Sequence, residues 1–225
     1  MRARFLLLSL PIVAALALAP ATGLAKKKKN AEAPSAGPVV LAEVQDGLAY
    51  KTWEAFQPLA DAAMNNAEDP SALATLFVQA MVARTYDKKF GEDLMGYMVY
   101  SSYKMEDKTS ETGWTITRRF ADEMAEPDAK PRILHGYCGG TAAGNYRDHD
   151  YTNCDPELDT VYSAKMQGPN NGRAKYFVTN RGAPRPRPVN LKEENGKWTV
   201  YTVSGLMTGV AATAEEAAAK AEKAK

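Results

Sequence analysis

The spacing of apolar residues changes once along the chain, near Pro131. Before that point apolar side chains recur every three or four residues, which is typical of one face of an α-helix. Asp69 and Pro70 form a helix start signal, and we expect Pro127 and Pro131 to end the last helical segment. The pattern predicts four helices, the last of them weak: residues 53–64, 71–86, 91–101 and 115–124.

After Pro131 the apolar spacing falls towards two, which is typical of one face of a β-strand. Asn195 and Gly196 supply the positive φ angles that a tight hairpin turn needs, and they are the strongest local signal in the chain. Glycines and asparagines in residues 168–172 predict a further turn. The predicted strands are residues 132–137, 160–166, 174–179, 188–192 and 197–203.

Helices that come first and strands that come later predict an α+β fold. We expect a helical N-terminal half that packs on an antiparallel β-sheet from the C-terminal half, within a single domain over residues 39–210. Residues 211–225 are rich in Ala, Glu and Lys and lack an apolar stripe beyond Ala. This tail favours helix intrinsically, so we predict either a frayed helix or a disordered segment.

The N-terminus has the three parts of a secretory signal peptide. Arg2 and Arg4 precede an apolar run, and small residues lead to Ala25. We therefore predict a signal peptide over residues 1–25, then a flexible linker over residues 26–38 that holds no large apolar side chain. The sequence indicates an exported bacterial protein, periplasmic or secreted, with no transmembrane segment after cleavage.

The charge balance argues against a nucleic-acid-binding protein. The 225 residues include 28 Lys and Arg and 27 Asp and Glu. Loss of Arg2 and Arg4 with the signal peptide would leave 26 basic residues against the 27 acidic ones. A dedicated nucleic-acid binder would show a clear basic excess, so we expect no nucleic-acid partner.

Both cysteines and both histidines lie within residues 135–154. In an oxidising compartment Cys138 and Cys154 would form a disulfide that closes a polar, glycine-containing loop. The chain-entropy model gives such a bond a value of about 3 kcal/mol. The alternatives are a zinc site made by His135, Cys138, His149 and Cys154, and a Cys–His dyad from Cys138 with either histidine.

The same region is rich in carboxylates, which are ligands that calcium prefers. The acidic residues lack the spacing of a calcium-binding EF-hand loop, so we interpret them as a solvated acidic loop rather than a calcium site. They are Asp148, Asp150, Asp155, Glu157 and Asp159, with Asn153 among them. We expect no bound cofactor and no metal, the zinc site remaining the alternative.

Aromatic rings with polar tips and arginines suit contact with a partner. The candidate partner-binding residues are Tyr137, Tyr146, Tyr151, Arg181, Arg185 and Arg187. The three arginines alternate with prolines in residues 181–188, which forces an extended backbone. This segment could equally be the exposed lead-in to an edge strand, protected from aggregation by proline and charge.

The second half of the chain resembles a family of exported bacterial domains of unknown function. Three stretches carry the resemblance: residues 137–146, 176–188 and 196–204. The first stretch departs from the family pattern because Cys138 separates the aromatic residue from the glycines. The resemblance spans about residues 50–210. It implies a shared fold and export, and it implies no activity.

We therefore expect a non-catalytic binding module of the cell envelope, whose partner is an unknown envelope protein or ligand. One alternative is a metal-dependent or hydrolytic enzyme that uses the His135, Cys138, His149 and Cys154 region. A second alternative is a structural envelope component. Binding and structural roles share the same sequence features, because function depends on sites and not on folds.

Overall fold

A computed structural model describes residues 52–141 and 154–224, together with the backbone of a short N-terminal hairpin. That hairpin pairs strand β1 (Glu43–Val44) with strand β2 (Leu48–Ala49). The predicted signal peptide and linker lie outside the described residues. None of the described helices is long and apolar enough to cross a membrane.

Three helices make up most of the first half. They are α1 (Trp53–Asn65), α2 (Ser71–Arg84) and α3 (Lys88–Met98). Helix α2 is buried along most of its length, with apolar side chains around most of its circumference, so it is the centre of the core. All three helices were predicted from the apolar spacing.

The third helix begins at Lys88, three residues before the predicted start at Gly91. The Asp87 carboxylate accepts a hydrogen bond of 2.9 Å from the Phe90 backbone N–H, so it caps a helix that starts at Lys88. The helix ends at Met98, so the prediction that it extends to Ser101 is wrong. The apolar spacing did not reveal this start, because the helix begins with the polar residues Lys88 and Lys89.

The fourth helix was predicted over residues 115–124, but its first residues belong to a strand. Strand β3 (Lys104–Glu106) pairs with strand β4 (Trp114–Ile116), and helix α4 (Arg118–Glu123) begins only afterwards. The Thr117 hydroxyl accepts a hydrogen bond from the Phe120 N–H and caps α4. Pro127 does not end the helical region either, because it lies within the short helix α5 (Ala125–Ala129).

Two predicted strands are absent. Residues 132–137 contain helix α6 (Arg132–His135), whose Ile133 and Leu134 are both buried. Residues 160–166 form a turn and a short 3₁₀ helix, because the Asp159 carboxylate accepts hydrogen bonds from the next backbone N–H groups, at 2.9 Å from Val161 and 2.5 Å from Tyr162.

The C-terminal half contains a four-stranded antiparallel sheet, which confirms the α+β fold. Its strands follow the order β5-β6-β7-β8. They are β5 (Gly168–Asn170), β6 (Arg173–Val178), β7 (Arg187–Glu194) and β8 (Lys197–Thr202). The predicted hairpin turn between β7 and β8 is confirmed, with φ of 54° at Asn195 and 76° at Gly196.

One face of this sheet packs on the helices and the other faces outward. Apolar side chains such as Ala174, Tyr176, Val189 and Leu191 lie on the inner face and join the core. Strand β7 is an interior strand, so the interpretation of residues 181–188 as the lead-in to an edge strand is wrong. Pro188 pairs in register with Phe177 of β6.

The C-terminal tail contains helix α7 (Ala214–Lys223). It begins with a capping box, in which the Thr213 hydroxyl accepts from the Glu216 N–H and the Glu216 carboxylate accepts from the Thr213 N–H. Arg132 donates to Glu216 at 2.6 Å. The tail is therefore a capped helix that is tied to α6.

Candidate functional site

The two cysteines are joined by a disulfide bond, as predicted. The Cα atoms of Cys138 and Cys154 are 4.5 Å apart, and both side chains are buried. The Gln79 side chain of α2 donates a hydrogen bond of 2.8 Å to the Cys154 carbonyl, which fixes this end of the loop against the core. Bonded sulfurs are neither zinc ligands nor thiolate nucleophiles, so the disulfide form excludes both alternatives.

His135 belongs to helix α6 and not to a strand. Its ring stacks on Tyr86 with a centroid distance of 5.5 Å, and a hydrogen bond of 3.1 Å joins its Nε2 to the Thr85 hydroxyl. His149 lies outside the described residues, as do Asp148, Asp150 and Asn153 of the acidic loop. Among the described residues, no group of three or more His, Cys, Asp or Glu side chains could hold a metal ion.

Of the three candidate tyrosines, the structure describes one. Tyr137 is 3% exposed and its hydroxyl donates a hydrogen bond of 3.0 Å to the Leu206 carbonyl. Burial raises the pKa of this phenol well above its usual range. Tyr137 therefore packs inside the protein, while Tyr146 and Tyr151 lie outside the described residues.

The three candidate arginines differ in exposure. Arg181 and Arg185 are exposed, and Arg181 lies 3.4 Å from the Glu157 carboxylate. Arg187 is half-buried, and its guanidinium donates a hydrogen bond of 2.7 Å to the Gly209 carbonyl. The exposed side chains of Arg181 and Arg185 are accessible to a partner, whereas the half-buried Arg187 is held by the chain itself. Their role in binding stays a prediction.

The outer face of the sheet carries an open cleft that the sequence analysis did not identify. Its volume is about 500 Å³, within the range of small-ligand sites. The side chain of Met166, which is 57% exposed, forms part of its wall. We call it the cationic cleft; its polar lining side chains are Asn170, Arg173, Lys175, Asn190, Tyr201 and Thr202.

The register of the sheet brings the cleft residues together. Lys175 is paired with Asn190, and Asn190 is paired with Thr202 on the next strand. Residues paired across antiparallel strands present their side chains to the same face. The three side chains therefore form one row across β6, β7 and β8, with Asn170 and Arg173 as the neighbouring pair on β5 and β6.

Two local irregularities shape the cleft. The turn at Asn171 and Gly172, with φ of 52° and 69°, reverses the chain so that β5 lies beside β6. The pairing of β7 with β8 shifts next to Leu191, and Tyr201 is the extra residue of this bulge. A bulge re-aims a side chain, and this one places the Tyr201 ring at the wall of the cleft.

Tyr201 is held in place by its neighbours. Its ring packs edge-on against the ring of Tyr100, with centroids 5.4 Å apart. The Lys192 ammonium lies 4.2 Å from the Tyr100 centroid and 5.4 Å from the Tyr201 centroid, and donates to the Tyr100 hydroxyl at 2.9 Å. Lys192 is thus a third cation, positioned at the border of the cleft.

The electrostatics of the cleft are one-sided. None of the described residues that line it is acidic, and neither Arg173 nor Lys175 has an ion-pair partner within the described part of the chain. Arg173 is paired in register with Lys192, and like charges opposite each other destabilise a sheet. The arrangement favours an anion.

One pattern in the sequence could have indicated the outer face that carries the cationic cleft. Polar residues Arg173 and Lys175 alternate with apolar residues Ala174 and Tyr176. The same alternation recurs in strand β7. Alternation predicts which side chains share a face, but the pairing of distant strands decides which faces meet.

Residues 51–214 match the family model of a domain of unknown function (DUF6935). This match covers more than half of the chain. The chain belongs to this family. No curated protein and no solved structure gives a significant match. The matched residues include all the helices and strands from α1 to β8, together with the cationic cleft. The family description assigns no activity to any of them.

Proposed function

We propose that this chain is an exported, non-catalytic binding module of the bacterial envelope and that its ligand occupies the cationic cleft. The cleft carries the proposal, because it is a concave surface of about 500 Å³ with several convergent polar groups. These groups come from the four paired strands of the sheet, so a rigid element positions them.

Two features support the exported location. The N-terminal sequence has the parts of a signal peptide. The Cys138–Cys154 disulfide suits an oxidising compartment such as the periplasm. The location itself is part of the proposal.

The chemistry of the lining favours binding over catalysis. Its charged groups are the Arg173 guanidinium and the Lys175 ammonium, and its neutral groups are amides, a hydroxyl and a phenol. General acid–base catalysis most often uses an imidazole or carboxyl group within hydrogen-bond reach of the substrate, and less often a lysine or a tyrosine. The described lining residues offer cations and hydrogen-bonding groups, which orient and hold a ligand.

The test is co-sedimentation of the mature protein with isolated envelope fragments. We expect the wild-type protein to sediment with them. A double variant, Lys175→Ala with Asn190→Ala, should bind about tenfold more weakly, since it loses a charge-assisted hydrogen bond. Its melting temperature should match that of the wild type, because neither side chain belongs to the core.

A matched variant, Arg181→Ala with Arg185→Ala, compares the two candidate surfaces. We expect it to sediment like the wild type. Loss of sedimentation in this variant alone would move the contact from the cleft to the arginine segment. A wild-type protein that stays in the supernatant would contradict the binding role itself.

A further inference from the structure

We propose that the ligand of the cationic cleft is a segment of a glycan that carries carboxylate groups. This inference rests on the proposed function and adds the chemical class of the ligand. The structure supports it through three features: the charge of the cleft, its neutral hydrogen-bonding groups, and the strand edges of the sheet.

The charge of the cleft suits carboxylates. Arg173 and Lys175 lie two residues apart on β6, so both present to the outer face, and Lys192 of β7 is opposite Arg173. A guanidinium binds a carboxylate through two parallel hydrogen bonds, and an ammonium adds a point charge. An anion between these strands would relieve the repulsion between Arg173 and Lys192.

The neutral groups of the cleft suit sugar hydroxyls. The amides of Asn170 and Asn190 both donate and accept hydrogen bonds, as does the hydroxyl of Thr202. A sugar hydroxyl has the same dual character. The Tyr201 ring supplies an apolar surface at the cleft wall. Its contacts with Tyr100 and Lys192 pre-organise the ring for ligand binding.

The edges of the sheet argue against an extended peptide ligand. A peptide that adds a strand needs free main-chain groups along an edge. Edge strand β5 contains Pro169, which has no N–H to donate. At the other edge, Val99 forms a bridge with Val200, and the Tyr100 N–H donates to the Val200 carbonyl at 2.9 Å. Side chains of the open face therefore make the contacts.

The test uses defined ligands and the mature wild-type protein. The probe is the trimer of galacturonic acid, and the matched neutral sugar is the same trimer with its carboxyl groups reduced to alcohols. Binding is measured by calorimetry and by NMR shifts of the cleft residues, at low ionic strength. We expect the charged trimer to bind about tenfold more tightly than the neutral one, and its advantage to shrink with added salt.

Three protein variants locate the effect. Lys175→Gln and Arg173→Gln should each weaken binding of the charged trimer by about tenfold. Arg119→Gln removes an exposed cation of α4 that is outside the cleft lining and should change nothing. Equal weakening by all three variants would overturn the cleft as the binding site for the glycan.

The remaining outcomes separate the ligand class from the proposed function. If the charged and neutral trimers bind equally in the cleft, the carboxylate requirement is wrong while the proposed binding function stands. If inorganic phosphate or an oligoglutamate peptide binds more tightly than the charged trimer, the glycan class is overturned. If neither trimer binds while envelope fragments still retain the protein through the cleft, the glycan class fails alone.

Discussion

At the scale of single residues, Arg84 is a buried polar side chain that contacts several helices of the first half. It lies on α2 and is 4% exposed. Its Nε and Nη2 atoms lie 3.0 and 2.9 Å from the Glu92 carboxylate of α3, and its guanidinium also pairs with Asp128 of α5. One buried cation therefore joins three helices.

Replacing Arg84 with Ala should lower the free energy of unfolding by about 3–5 kcal/mol, because it leaves the Glu92 carboxylate without its charge partner. Urea denaturation measures this loss. The matched change is Lys130→Ala, which removes an exposed pair with Glu126 and should cost less than about 1 kcal/mol. Equal losses in the two variants would show that the Arg84 cluster does not stabilise the helices.

At the scale of elements, helix α3 packs closely on strand β4 because Gly96 has no side chain. A Cβ atom at this position would overlap the backbone of Thr115. A second glycine of α3, Gly91, faces the backbone of Arg84 in the same way. Helix α3 thus lies between α2 and the β3–β4 hairpin, with glycine at both contacts.

We predict that Gly96→Ala destabilises the protein by about 1–3 kcal/mol, although Ala is the better helix former, because overpacking outweighs helix propensity here. Lys88→Ala, at an exposed position of the same helix, is the control and should change the stability only slightly. Thermal denaturation compares the two variants. A Gly96→Ala protein as stable as the wild type would mean that α3 can move away from β4.

At the scale of the whole molecule, the disulfide closes a loop next to helices α2 and α6. Cys138 follows α6, and Gln79 of α2 holds the backbone of Cys154. The two cysteines are separated by 16 positions. The bond restricts the unfolded chain, and both sulfurs are buried in the core.

The double variant Cys138→Ser, Cys154→Ser should lose about 3 kcal/mol of stability. Urea denaturation of the oxidised wild type and the variant gives the difference, and the wild type in reductant should fall to a similar value. Mass spectrometry of the oxidised protein should show two hydrogens fewer than the reduced chain. A reduced wild type as stable as the oxidised one would contradict a stabilising role for the bond.

The elements predicted correctly from sequence are those set by strong local signals. The apolar spacing of residues 71–86 predicted α2 to within two residues at its C-terminus. The positive φ angles at Asn195 and Gly196 follow from residue type alone. The strand predicted over residues 132–137 was wrong because a short apolar segment fits a strand or a helix; the structure has helix α6 (Arg132–His135) there, with Ile133 and Leu134 buried.

In the candidate site, too, some features follow from the local sequence and others from the tertiary structure. The sequence by itself determined the disulfide partners, because the chain has two cysteines, and it also determined the alternation of Arg173 and Lys175 with apolar residues. Only the tertiary structure decided that Tyr137 is buried and that Tyr201 lines a cleft. Local signals act through neighbours in the chain, whereas burial and strand register depend on residues far apart in sequence.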